Sequence, residues 1–172
     1  MMDPESLVGA SQEMLKEIHR QAELQLSAQL QAGIGADARA LYFISLMAAA
    51  TVVVAGGAVA SFTSLPPNVH LAWTCVAMVA GFVISMAFAV ASARPTGFDY
   101  AGSWPVGWVV DVKKGVSLHV ALARQLADMN ERLSDNSHIL KNNARWMRLA
   151  LCIAVVVIVV GCFIGVLIIA VK

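Results

Sequence analysis

LADMNERLSDNSHILKNNARWMRLALCIAVVVIVVGCFIGVLIIA, residues 126–170, decides how this chain is built. Its first half mixes leucines, asparagines and charges, and its second half, from Leu149, contains no Asp, Glu, Lys, Arg or His. No proline interrupts it. Leu122, Leu126, Met129, Leu133, Asn136, Leu140, Asn143 and Met147 follow one another in alternating steps of four and three, the spacing of a helix that packs along a supercoiled seam. Leu126, Leu133, Leu140 and Met147 form one column; Leu122, Met129, Asn136 and Asn143 form the other. Arg124, Asp128, Glu131, Asp135, His138, Lys141 and Arg145 take the outer positions, so the opposite face is solvated. Extrapolated past Met147, the columns reach Ala150, Ala154, Val157 and Gly161. One helix of about 55 residues, on the order of 80 Å at 1.5 Å per residue, therefore carries a polar seam straight into a stretch of hydrocarbon.

What covers the seam is open at this point. A second subunit would pair like with like, and asparagine opposite asparagine would satisfy the buried carboxamides while fixing register and subunit number. Alternatively, Asn136 and Asn143 touch water or loop carbonyls. Ile139 and Trp146 widen the apolar stripe, which favours a bundle contact. A combined arrangement sets the long helix against a neighbouring subunit on one side and its own N-terminal helix on the other.

Composition places the whole chain in a membrane. Of 172 residues, 59% are hydrophobic and 13% charged, with mean hydropathy +0.72, far from a soluble domain of this size. Three windows, 40–62, 69–93 and 149–171, are long enough for a core about 30 Å thick. Eleven of the twelve basic residues precede the first window or lie between the second and third. By the positive-inside rule those segments and the N-terminus are cytoplasmic and the C-terminus lies on the outer side; the resemblance described below implies that the membrane is the bacterial inner membrane and the outer side the periplasm.

The expected organisation is all-α. Residues 1–37 form an amphipathic helix, with Leu15, Ile18, Ala22, Leu26 and Leu30 on one stripe, starting at Asp3 with Pro4 and Glu5 in its first turn. "AGIGAD", 32–37, ends it. With only Lys16 and Arg20 against Glu5, Glu13, Glu17 and Glu23, and no aromatic residue, it suits packing on another protein helix better than lying on lipid. Residues 38–93 form a helical hairpin closed by "SLPPN". Ala77, Gly81, Ser85 and Ala89 make a column of small residues for close helix packing, and Gly161 and Gly165 form a GxxxG in the third span. Residues 94–115, "RPTGFDYAGSWPVGWVVDVKKG", lie along the inner surface, with Tyr100, Trp104, Trp108 and also Trp146 suited to the headgroup region. Residues 116–148 are the cytoplasmic seam helix, and 149–172 the third transmembrane helix.

The order of these parts, with "GADARALYFISLMAAA" opening the hairpin, "RPTGF" after it and "LADMNERLSDNSHILKNNARWMRLAL" leading into the last span, resembles a family of small bacterial three-span membrane proteins. In layout it is similar to the two-plus-one-span effectors of antiphage systems, the Pycsar and SLATT-like membrane proteins. That resemblance implies oligomers that impair the inner membrane when a nucleotide signal arrives. No nucleotide-binding residue is carried over by it.

Function classes narrow accordingly. His19, His70, His119 and His138 lack metal-ligand spacing, Cys75, Cys152 and Cys162 fall within the spans, and no nucleophile motif occurs, so neither catalysis, cofactor nor metal is expected. A net charge of +1 offers no nucleic-acid footprint. Spans without Asp, Glu, Lys or Arg do not suit a proton or solute carrier. The expected partners are the lipid bilayer, further copies of the chain through the 116–171 helix, and other membrane subunits if the protein is instead an accessory component of a larger complex.

Overall fold

The computed structural model describes residues 7, 9–94, 97–102 and 105–170. They form four helices, α1 (Gln12–Thr63), α2 (Val69–Ser92), α3 (Pro105–Lys113) and α4 (Leu118–Ala170), with no strand among the described residues. α1, α2 and α4 are each long and apolar enough to cross a membrane. The chain is an all-α membrane protein, and α4 joins the seam to the third span without a break over its 53 residues.

α1 is also unbroken, over 52 residues. This corrects the expectation that "AGIGAD" separates two helices. A glycine inside a helix costs about 1 kcal/mol relative to alanine, which packing along both flanking stretches outweighs. Gly33 has a positive use here: the ring of Phe98 comes to 3.0 Å from where a Cβ would stand. The apolar spacing continues across the glycines, since Leu26, Gly33, Ala40 and Met47, seven apart, are all buried. α1 begins at Gln12, where the Met14 N–H donates to Ser11 Oγ at 3.2 Å. The start expected at Asp3, Pro4 and Glu5 lies outside the described residues, as does Trp104.

The other ends follow local chemistry. Asn68 caps α2, its Oδ1 accepting from the Leu71 N–H at 3.3 Å, directly after the two prolines. α3 ends in a Schellman turn: Gly115 sits at φ +64°, its N–H bonds Val112 O, and the Val116 N–H bonds Asp111 O. Glycine reaches that left-handed conformation without a Cβ clash. This helix within 94–115 is an element that the sequence reading left out.

The helices divide into two compact units, Met1–Ile34 with Thr96–Lys141, and Gly35–Pro95 with Asn142–Lys172. In the first, Leu15 of α1 packs with Leu122 and Leu126 of α4. Gln29 Nε2 donates to Leu133 O at 3.1 Å. Rising numbers on α1 meet rising numbers on α4, so the two run parallel there. In the second, Met47, Phe82 and Ala154 form the core. Met78 faces Gly161, Val157 faces Gly81 and Ser85 faces Ala150, so α2 and α4 run antiparallel.

Candidate functional site

The seam of α4 is buried as its spacing predicts. Leu122, Leu126, Met129, Asn136 and Asn143 are buried, and Leu133, Leu140 and Met147 are half-buried. The extrapolated columns continue, with Ala150, Ala154 and Gly161 buried and Val157 half-buried. What covers it in the first unit is the same chain. α1 lies along Leu122 and Leu126, and the 97–102 segment lies along Asn136 and Arg132.

That segment acts as a strap. Asn136, with 0% of its surface exposed, accepts from the Asp99 N–H at 3.0 Å through Oδ1 and donates to Asp99 O at 3.0 Å through Nδ2. A peptide group presents one donor and one acceptor, and a carboxamide matches both. Of the two alternatives the sequence leaves open for Asn136, the contact with a loop is the one formed within the chain: its carboxamide bonds the Asp99 peptide. Arg132 donates to Gly102 O at 3.1 Å. Phe98, one residue before Asp99, rests on Gly33 of α1. The sequence reading missed Phe98 and Asp99, because "RPTGFD" carries no periodicity that would have marked them, and took the stretch holding Gly33 only as a helix end.

α3 continues the strap. Trp108 packs against the Leu15, Leu122 and Leu126 core, and Asp111 accepts from Arg124 at 3.1 Å. His119 Nε2 lies 2.8 Å from Ala10 O. Trp108 is therefore half-buried in protein, whereas Tyr100 is exposed. Trp146 stacks on Phe88 with ring centroids 5.7 Å apart. Among the described residues no three His, Cys, Asp or Glu side chains converge as metal ligands would.

In the second unit the small-residue column is used for packing, as far as Ala89. Gly81 admits Val157, buried Ser85 donates through Oγ to Ala150 O at 2.7 Å, and Ala89 is buried. Ala77 is exposed. Gly161 admits Met78, while Gly165 has nothing within 4 Å of a built Cβ. The GxxxG is thus split: one glycine meets α2, and the other faces open space. Four further span hydroxyls are tied to backbone: Ser45 to Leu41 O, Thr51 to Met47 O, Ser61 to Gly57 O and Thr74 to His70 O. Self-bonding of this kind hides polarity from hydrocarbon.

These features define a class: a three-span helical membrane protein whose third span extends into a polar bundle strapped by its own loop. Residues 35–171 match the family described as the Pycsar effector protein domain, PycTM. The chain belongs to that family, a domain of membrane effectors in antiphage defence. No curated protein and no solved structure matches the chain.

Proposed function

We propose that this protein is a non-enzymatic effector that assembles as an oligomer in the bacterial inner membrane and breaches it, with its N-terminus and the 94–148 region cytoplasmic. The observation that carries the reading is the family match, which takes in all three spans. The chemistry of the spans supports it. They hold no Asp, Glu, Lys or Arg over 40–62, 69–93 and 149–171, and the span hydroxyls described above are bonded to backbone. A single chain thus offers ions no polar path, and a lesion requires several copies. The distribution of basic residues supports the orientation.

The test uses the full chain, extracted gently from membranes and reconstituted in liposomes loaded with a self-quenched dye. The reading expects a defined homo-oligomer by native mass measurement and dye release that rises steeply with protein density. A monomer that leaves liposomes sealed and co-purifies with other membrane chains would replace it with an accessory-subunit role.

A further inference from the structure

Each apolar window meets an arginine at the same end. Arg39 directly precedes 40–62, Arg94 directly follows 69–93 and Arg148 directly precedes 149–171, with Arg145 one turn before it on α4. These are all the arginines of the second unit, Gly35–Pro95 with Asn142–Lys172, and the same residues hold a single acidic side chain, Asp37. The packing puts them at one level. α2 runs antiparallel to both α1 and α4, and Met47, Phe82 and Ala154 share a core; Arg39 stands eight residues before Met47, and Arg148 and Arg145 six and nine before Ala154. Ser92 Oγ lies 4.0 Å from the Met147 sulfur, and Arg94 follows two residues after Ser92.

All four arginines are exposed, and none has a hydrogen bond or a carboxylate partner among the described residues. On α4 no Asp or Glu follows Asp135, so Arg145 and Arg148, neighbours one turn apart, repel each other with no anion of the helix between them. They also open a stripe. Arg145, Arg148, Cys152, Val155 and Val159 follow in steps of three and four, on the face opposite buried Asn143, Ala150 and Ala154. Cys152 is exposed, as are Val155 and Val159, at 58% and 60%. Cationic where the apolar window begins and hydrocarbon within it, this stripe matches the two parts of a phospholipid.

We infer that Arg145 and Arg148 bind the phosphate of an anionic phospholipid whose acyl chain lies along Cys152, Val155 and Val159, with Arg39 and Arg94 presenting the same group to the same headgroup layer. Position supplies the ligand, because headgroup phosphates lie where an apolar span meets water. The residue type supplies the grip. A guanidinium is a planar fork that engages two phosphate oxygens at once, whereas an ammonium is a point charge, and every span at this end is flanked by arginine. With no carboxylate to neutralise them, the arginines favour a lipid of net negative charge over a zwitterionic one. Basic flanks that only orient the spans need charge alone; a phosphate clamp needs the fork, and replacing arginine by lysine separates the two. The inference holds for one copy or many.

The experiment titrates the full chain, in a neutral detergent, with phosphatidylglycerol or with phosphatidylcholine of the same acyl chains, and counts bound lipid by native mass measurement. Phosphatidylglycerol is expected to be retained about tenfold more strongly. Arg145→Lys with Arg148→Lys, which keeps every charge, is expected to lose most of that preference while circular dichroism shows unchanged helicity; if helicity falls, the two single replacements are read in the same way. Equal retention of the two lipids would overturn the inference, since the acyl chains alone would then hold them. An undiminished preference in the lysine proteins would overturn it as well, by reducing the clamp to net charge. A competition arm separates two sources of the same chemical group. Excess inorganic phosphate is expected to leave the lipid bound, because the stripe beyond Arg148 holds its chain; displacement would assign the arginines to a free phosphate and sink the lipid site.

Discussion

Asn136 grips Asp99 by both ends of the peptide, its Oδ1 3.0 Å from the Asp99 nitrogen and its Nδ2 3.0 Å from the Asp99 oxygen. Of the positions that look in the sequence like devices between subunits, Asn136 is thereby spent inside one chain. The strap it holds runs between the two long helices of the first unit, with Phe98 against Gly33 on one side and Gly102 against Arg132 on the other. α1 and α4 are thus joined there by a third, non-helical element as well as by leucines. Its grip is polar and directional, which makes it sensitive to single substitutions.

Replacing Asn136 by Leu is expected to destabilise the protein by about 2 kcal/mol, because it leaves the Asp99 N–H and C=O without partners where water is excluded. Subunit number should not change. Asn136→Asp should be worse, since a carboxylate would face Asp99 O. Unfolding in mild detergent, followed by circular dichroism alongside native mass, checks this; a more stable Asn136→Leu protein of altered subunit number would refute the strap.

The three glycines that face α4 or lie on it should differ sharply. At Gly81 an added methyl overlaps Val157, a stiff β-branched side chain, so Gly81→Ala should cost about 1–3 kcal/mol. At Gly161 the methyl meets Met78, whose flexible thioether can move aside, and the cost should be smaller. Gly165→Ala, in open space, should not destabilise. A thermal-stability series of the three variants tests the order, and equal losses at all three would contradict the packing.

Ser85 donates to Ala150 O across the interface at 2.7 Å. Ser85→Ala should lose about 0.6 kcal/mol, the usual worth of an interhelical hydrogen bond in membranes. Ser85→Leu should lose considerably more, because Ser85 is fully buried against α4. Steric-trap or denaturant unfolding in bicelles distinguishes the two losses.

Glu17 is held at a pKa of about 2 by hydrogen bonds from Arg20 first and Gln21 second. A carboxyl whose folded pKa is depressed contributes stability above its unfolded pKa, near 4.5, and loses that contribution as pH falls through the folded value. The Glu17–Arg20 pair should accordingly survive acidification to about pH 3, although as a fully exposed pair it adds little to global stability. A carbon-13 titration of the carboxyl checks it. Arg20→Gln should return the midpoint toward the usual range.

The sequence by itself determined the three spans, the continuity of α4 and the face of α4 that is buried, from Leu122 through Gly161. Those follow from apolar length and from a strict alternation of four and three, both local to the chain. It did not determine that α1 passes through Gly33 and Gly35 unbroken, because a local helix penalty of about 1 kcal/mol per glycine is decided by packing that periodicity does not report. Nor did it reveal what covers Asn136. A heptad says that a side chain is buried and is silent on the partner; here the partner is a backbone peptide at Asp99, 37 residues away, in a segment without periodicity. Only the tertiary structure brings that peptide to the carboxamide, because hydrogen bonding there depends on proximity in space and leaves no pattern in residue order.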